Sequence, residues 1–519
     1  MDAVALELAR HALAGVAEEM GVALRRAAYS PNIKERADCS AAVFAPDGTM
    51  VAQAEHIPVH LGSMPASVAA ALARFGDRLT PGTQVLLNDP YAGGTHLPDL
   101  TLVAAVGDAD GVCIGFVANR AHHADVGGAA PGSMPATATD IAMEGIRIPP
   151  VIVAADGDAS GVLEVVAASS RTPGERRGDL RAQFAANHVG AVRLAELAGR
   201  YGRDGLDAAM RGVCAYAERR VRAAVSAIPD GVYRAVDHLE LDVPCAIAVE
   251  LTVDGQTLTA DFSASSPQVR APLNAVQAVT VSSAAFVLRM LTDPEAPPNA
   301  GCYRPLVVRT RPGTIVDAVP PAPVAGGNVE TSQRIVDVLL AAFAEALPDR
   351  VPAASQGTMN NLLLGAADPA FSYYETIAGG EGATPERAGM SGVHTGMTNT
   401  RNTPAEALEL AYPLRVRRAE LRRDAAGAGT HPGGQGVVRE VEVTCDEAVL
   451  TLQTERRRRA PAGRAGGRDG AVGRNLRIGV DGSAEELAAK GQWVLTRGQR
   501  IRVETPGGGG WGPPPSPAG

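Results

Sequence analysis

At 519 residues the chain exceeds what one hydrophobic core usually supports, so several packed subdomains are expected. Its 45% hydrophobic and 20% charged residues exclude wholesale disorder, and a net charge of -9 speaks against a nucleic-acid partner, which needs a concentrated basic surface. The six cysteines form no C-x-x-C pair, which excludes a zinc ribbon or dithiol redox site; no apolar run reaches membrane length, and the N-terminus lacks the marks of a secretory leader. These features read as a cytoplasmic protein with reduced thiols.

The expected fold class is α+β, with several mixed α/β subdomains and a Gly-rich, β-rich C-terminal part. Apolar recurrence at Leu6, Leu13 and Met20 predicts an amphipathic helix from residue 2 to about 29, stopped by Ser30-Pro31-Asn32. Asp47-Gly48 between two apolar runs predicts a hairpin, and an Ala-rich helix follows, ending near Arg74. Gln84 to Leu87, Leu100 to Val106 and Val112 to Ala118 read as buried strands. The third runs into Asn119-Arg120-Ala121-His122-His123-Ala124-Asp125, so two polar clusters hang from strand ends. Residues 1–175 form the expected N-terminal α/β part.

A helical segment, 176–230, comes next, with a break near Tyr201-Gly202-Arg203. Asp179, Gln183 and Asn187 share one face there, and a solvated face is the expectation. In a mixed middle part, 231–414, the alternation of Ile247, Val249, Leu251 and Val253 predicts a strand, and helices are expected over 279–291 and 330–347. A C-terminal part, 415–519, alternates short strands with glycine-rich turns. The run Arg456 to Arg459 is expected at a solvated edge. The loops around Gly427-Ala428-Gly429 and Gly433-Gly434 are expected to be tight turns.

The chemistry concentrates in His96-Leu97-Pro98-Asp99 and His122-His123-Ala124-Asp125. Imidazole nitrogen and carboxylate oxygen are the ligands that divalent Mn, Zn and Fe prefer, and two such pairs on neighbouring strand ends can converge. Asp38 is a third acid before a buried strand, while His56 and His60 are candidates for orienting a ligand. Only Lys34 and Lys490 are lysines, and neither stands in a G-x-x-x-x-G-K-[ST] setting, so no Walker-type ATP site is visible.

Further blocks extend the pattern: Asn88-Asp89-Pro90-Tyr91-Ala92-Gly93-Gly94-Thr95 before His96, Pro131-Gly132-Ser133-Met134-Pro135, Asn328-Val329-Glu330-Thr331, Met397-Thr398-Asn399-Thr400-Arg401-Asn402, and Glu504-Thr505-Pro506 with four glycines after it. Together with the two His/Asp clusters they resemble the hydantoinase B family, which includes the C-terminal half of ATP-dependent 5-oxoprolinase and the matching subunits of caprolactamase and acetone carboxylase. The resemblance implies the B-type subunit of a hetero-oligomeric, ATP-dependent cyclic amide hydrolase acting on C–N bonds. An A-type partner would use ATP and Mg²⁺ to phosphorylate the amide oxygen of a small lactam or hydantoin. The B-type chain would finish the reaction at a divalent metal held by Asp38, His96, Asp99 and one of His122 or His123, with Asp125 or His123 as a base.

An acetone-carboxylase-like subunit is the alternative, and a non-catalytic scaffold a third reading. At Asp424-Ala425-Ala426-Gly427 and Pro432 the chain departs from the family pattern, so the resemblance does not carry substrate identity through this loop, while the His/Asp clusters are intact.

Overall fold

A computed structural model describes residues 2–54, 57–60, 62–154 and 160–515; His56 lies outside the described residues. Strands β1 (Cys39–Phe44), β2 (Met50–Ala54), β3 (Gln84–Leu87), β4 (Asp99–Gly107), β5 (Cys113–His122) and β6 (Val151–Ala154) form one antiparallel sheet in the order β2-β1-β5-β4-β3-β6. Helix α1 (Ala3–Ala27) and the helix Pro173–Tyr201 cover one face; the helix Ser63–Phe75 covers the other. Two covered faces explain why these strands are apolar runs rather than alternating ones. Ala41 and Val43 join Leu13, Val16 and Met20 on one side. Ala42 and Phe44 join Met64 and Val68 on the other. Each such buried Leu or Phe contributes about 1.5–3 kcal/mol of apolar burial.

The helix after residue 172 begins at Pro173, ahead of the expected start at 176; proline suits the first turn, where its missing N–H has no partner to lose. Its polar stripe is not solvated. Asp179, Gln183 and Asn187 are all buried, because they serve the backbone beside them. Gln183 and Asn187 donate to the carbonyl oxygens of Leu100 and Leu102, at 2.9 and 3.1 Å, and Asp179 accepts from the Tyr29 and Ser30 N–H groups. The stripe thus ties this helix to β4 and to the end of α1. Gly202, with φ +72°, separates it from the next helix, Arg203–Val225.

A second sheet, Gly231–His238, Ala246–Asp254, Thr257–Asp261 and Leu306–Arg309, buries Ile247, Val249, Leu251 and Val253 in the expected alternation. The helix Ser332–Ala346 packs on its first two strands and on the helix Gln277–Leu291. A single π-turn, Gly327–Thr331, leads into Ser332–Ala346. Such turns recur at functional sites because they re-aim side chains.

The boundary expected at residue 415 does not separate two bodies, since one sheet joins Asn361–Ala367 and Ala370–Thr376 to Glu447–Gln453 and Lys490–Thr496. The last sheet, Leu414–Arg422, Gly436–Val443, Arg500–Glu504, Arg474–Ile478 and Ala484–Glu486 in that order, shares a core with it that holds Leu362, Leu364, Val441 and Val503. The Arg456–Arg459 run is a solvated edge only in its second half: the Arg458 and Arg459 side chains are exposed, whereas Arg456 is buried against Asp237 and Asp337, and the N–H groups of residues 457, 458 and 459 converge on the Glu240 carboxylate. Three donors on one carboxylate need the chain turned inward.

The C-terminal glycines serve close backbone packing. The N–H groups of Gly507, Gly508, Gly509 and Gly510 donate to the carbonyl oxygens of Ala471, Gly434, Ala354 and Arg468. A Cβ on Gly508 would lie 1.9 Å from the Glu381 carbonyl oxygen. Gly508→Ala is therefore expected to lower stability by about 1–3 kcal/mol, the cost of overpacking. Gly199→Ala, in a helix with nothing within 4 Å of the added atom, should raise it by about 0.5–1 kcal/mol. Denaturant unfolding of both variants checks the pair.

Candidate metal centre

Register brings the two polar clusters together. In the pairing of β4 with β5, Asp99 lies directly opposite His122, so their side chains leave the same face. The tight loop Thr95 to Pro98 returns His96 to the same place, and its Nε2 lies 3.3 Å from Asp99 Oδ2. One ligand atom from each of His96, Asp99 and His122 lies within 4.8 Å of the others, and all three residues are buried. The His96 and His122 rings are tilted at 59° with centroids 4.9 Å apart.

The polar atoms of this cluster are conspicuously unsatisfied. Both ring nitrogens of His96, Nε2 of His122, Oδ1 of Asp99 and Oδ1 of Asn328 are buried without a hydrogen-bond partner among the described residues. An unmet buried polar group costs about 1–3 kcal/mol, so such a concentration at one point asks for a species that accepts lone pairs. The donors suit a divalent cation of the Mn, Zn or Fe kind. Burial and the neighbouring His96 hold His122 well below the usual histidine range, so its imidazole is neutral. Burial acts to raise the Asp99 carboxyl, but His96 and His60 outweigh it and keep the carboxylate ionised.

The surrounding shell fixes these groups. Asp99 Oδ2 accepts from Thr95 Oγ1 at 2.6 Å and from Asn328 Nδ2 at 3.4 Å, and His60 Nε2 lies 3.7 Å away. His60 is held in turn by Ser40 Oγ, 2.9 Å from its Nδ1. Asn32 Nδ2 lies 3.1 Å from His122 Nδ1 and donates to the His122 carbonyl oxygen at 2.6 Å. Tyr374 stacks on the His122 ring, and the Arg36 guanidinium lies over the other aromatic partner of that stack, 4.7 Å from the Tyr374 centroid.

The expected residues divide. Asp38 lines the same small pocket as Asp99, His122 and Asn328, and burial pushes its carboxyl up to about 7. It is not one of the three residues whose ligand atoms converge. His123 points away from the cluster: its Nε2 lies 2.9 Å from Gln183 Oε1, as strand alternation requires once His122 faces inward. Asp125 is occupied elsewhere. Its oxygens accept from the N–H groups of Gly127, Gly132 and Arg171 and from Arg171 Nη1, which argues against the base role expected for it. Asn328, Tyr374, Arg36 and Asn32 are site residues that spacing alone does not reveal; Asn328 stands in a motif block, whereas no local signal marks Tyr374.

A family model described as hydantoinase B/oxoprolinase matches residues 2–514. The chain is 39% identical to 5-oxoprolinase 1 of Arabidopsis thaliana over 538 residues, covering 98% of this chain and 42% of that protein. It is 32% identical to a Pseudomonas protein named as the B-type subunit of a D-/L-hydantoinase, covering 99% of this chain and 90% of that one. The chain thus spans about two fifths of the plant relative and nearly all of the bacterial one. Among solved structures, the ATP-dependent caprolactamase from Pseudomonas jessenii matches with a TM-score of 0.92 at 27% identity, covering 99% of this chain and 92% of that one. Acetone carboxylase in its nucleotide-free form, at 18% identity and a TM-score of 0.87, shares the fold over 98% of this chain and 75% of that one.

His96→Ala, Asp99→Ala and His122→Ala are each expected to remove most bound transition metal. His123→Ala should retain it, and Asn328→Ala should cost about 10 to 100-fold in affinity, as loss of an orienting contact does. Elemental analysis of the purified variants, after equilibration with Mn²⁺ or Zn²⁺, checks the ranking. Full occupancy in His96→Ala and Asp99→Ala would remove the assignment.

Proposed function

Since this chain belongs to the hydantoinase B/oxoprolinase family, we propose that it is the B-type subunit of an ATP-dependent cyclic amide hydrolase. It opens a lactam or hydantoin ring after a separate A-type subunit has phosphorylated the amide oxygen. The observation that carries this reading is the buried cluster of His96, Asp99 and His122 with its unmet lone pairs. The bacterial relative named as part of a hydantoinase, matched over most of its length, favours a two-subunit enzyme. The caprolactamase likeness favours a lactam.

The chemistry divides between activation and hydrolysis. An amide is a poor electrophile, and phosphorylation of its oxygen opens the carbon to attack by water. The tetrahedral adduct then breaks its C–N bond, the ring nitrogen leaving with a proton as the amine, and a second water releases phosphate from the acyl phosphate that remains. His96, Asp99 and His122 would hold a divalent cation, which when bound supplies Lewis-acid stabilisation of negative charge at the reacting carbonyl. Asp38 has a separate task. Its carboxyl lines the same pocket as Asp99 and His122, so it suits taking the proton of an attacking water on a carboxylate oxygen. Thr95, Asn328 and His60 hold Asp99 in place, and Arg36 and Tyr374 keep the His122 ring fixed. Burial excludes bulk water from this pocket.

Alone, the chain is expected to show neither ATP hydrolysis nor ring opening, and with an A-type partner both, ring opening being strictly ATP-dependent. In a complex carrying His96→Ala, phosphate release should persist in part while ring-opened product collapses. Both are followed in one reaction over a panel of lactams and hydantoins, with acetone and bicarbonate as a carboxylase control. Ring opening by the isolated chain without ATP would overturn the two-subunit reading, and bicarbonate-dependent product would replace hydrolysis with carboxylation.

A further inference from the structure

The pocket at the cluster has a volume of only about 20 Å³, room for roughly one water-sized sphere, whereas pockets that bind small organic molecules span roughly 300–1,000 Å³. A ring substrate therefore cannot lie wholly beside His96, Asp99 and His122. A second cavity of about 520 Å³ adjoins it, bounded by the helices Gln277–Leu291 and Ser332–Ala346 and by the loop 394–399. Thr398 lines both spaces. Pro58 lines the larger one, while its chain neighbours Ile57 and Val59 line the smaller. The two spaces therefore meet at Thr398 and the segment 57–59.

The larger cavity has the chemistry of a ligand site. Phe286, Leu291 and Leu340 supply an apolar wall. The charges on its lining are settled with one exception. Arg387 is held by both oxygens of Glu381 at 2.8 Å, and Asp337 is engaged by Arg334 and Arg456. Arg350 donates to the Leu291 carbonyl oxygen at 2.5 Å and has no carboxylate partner among the described residues. The uncompensated charge is therefore positive. His394 also lines the cavity, and both its ring nitrogens are buried without a hydrogen-bond partner among the described residues. Nothing in the fold accounts for leaving an imidazole unmet, which is costly unless a ligand meets it.

We infer that this cavity holds the body of the substrate: an apolar ring on Phe286, Leu291 and Leu340, a polar group on His394, and one anionic group on Arg350. The reacting amide then reaches the buried cluster past Thr398 and Pro58. This rests on the proposed function for the identity of the substrate, but the test reads binding alone. The isolated, metal-loaded chain is titrated by ligand-observed NMR with 2-pyrrolidone-5-carboxylate and with its uncharged parent, 2-pyrrolidone.

Wild type is expected to bind the carboxylate roughly tenfold more tightly, the scale of one charge-assisted contact. Arg350→Ala should erase that preference, His394→Ala should weaken both ligands, and Leu340→Trp should abolish both, with metal content unchanged in all three. Arg350 is exposed, so its variant is expected to fold whatever becomes of Leu340→Trp. Competition by inorganic phosphate would assign the Arg350 subsite to a phosphoryl group, and its absence to the carboxylate; either keeps the site. An undiminished preference in Arg350→Ala, or no binding of either ring to wild type, would overturn the inference. Failure of ATP-dependent ring opening with these binding results intact would instead count against the proposed reaction.

Discussion

Two imidazoles and a carboxylate, folded into the interior with their lone pairs facing one another, define a constraint that the N-terminal sheet is built to meet. Water would satisfy these atoms in an unfolded chain, so burying them is favourable only if a partner replaces that water. The partner must accept electron pairs from neutral nitrogen and anionic oxygen at once, which is what a divalent cation does. The pairing of Asp99 with His122 across β4 and β5 sets the position of two donors, and the loop closed by Thr95 and Asp99 sets the third. A slip of one residue in that register would turn His123 inward and His122 out.

The rest of the molecule closes around this point from far away in the sequence. Arg36 donates to the Tyr374 carbonyl oxygen at 2.8 Å and to Thr376 Oγ1 at 2.9 Å, binding the segment before β1 to the strand Ala370–Thr376. The π-turn carries Asn328 to Asp99 and, two residues on, Glu330 to Asn361 and the Met359 N–H, which anchors the neighbouring sheet. Tyr374, which stacks on the His122 ring, also donates to Asn361 Oδ1 at 3.0 Å, so it belongs to the same hydrogen-bonded set. Site and fold are therefore hard to separate. Residues that hold the donors in place also join the first sheet to the third.

Much of this was readable in the residues, within limits that have physical causes. Strongly patterned segments, α1, the first hairpin and the alternating strand Ala246–Asp254, follow local rules that one stretch of sequence contains. The two His/Asp clusters stood out because their residue types are rare and concentrated. The choice between His122 and His123 was open because it depends on the register of β5 against β4, a fact of pairing rather than of either strand. Asp125 has the residue type and place of a base, but its partners include Arg171, far along the chain. The Asp179 stripe and Arg456 depart from the solvated faces their polarity predicts for the same reason: backbone N–H and carbonyl groups and distant carboxylates meet them in the interior, while Arg458 and Arg459 do face solvent.

Locating the metal directly is the most decisive measurement. Crystals of the chain loaded with a single transition metal, with diffraction recorded on both sides of its absorption edge, should give one anomalous peak bounded by His96, Asp99 and His122. The ligand atoms should then lie about 2.0–2.2 Å from that peak. An anomalous peak at some other place in the fold, or none between these residues in protein that carries stoichiometric metal in solution, would contradict the assignment on which the reaction has been built.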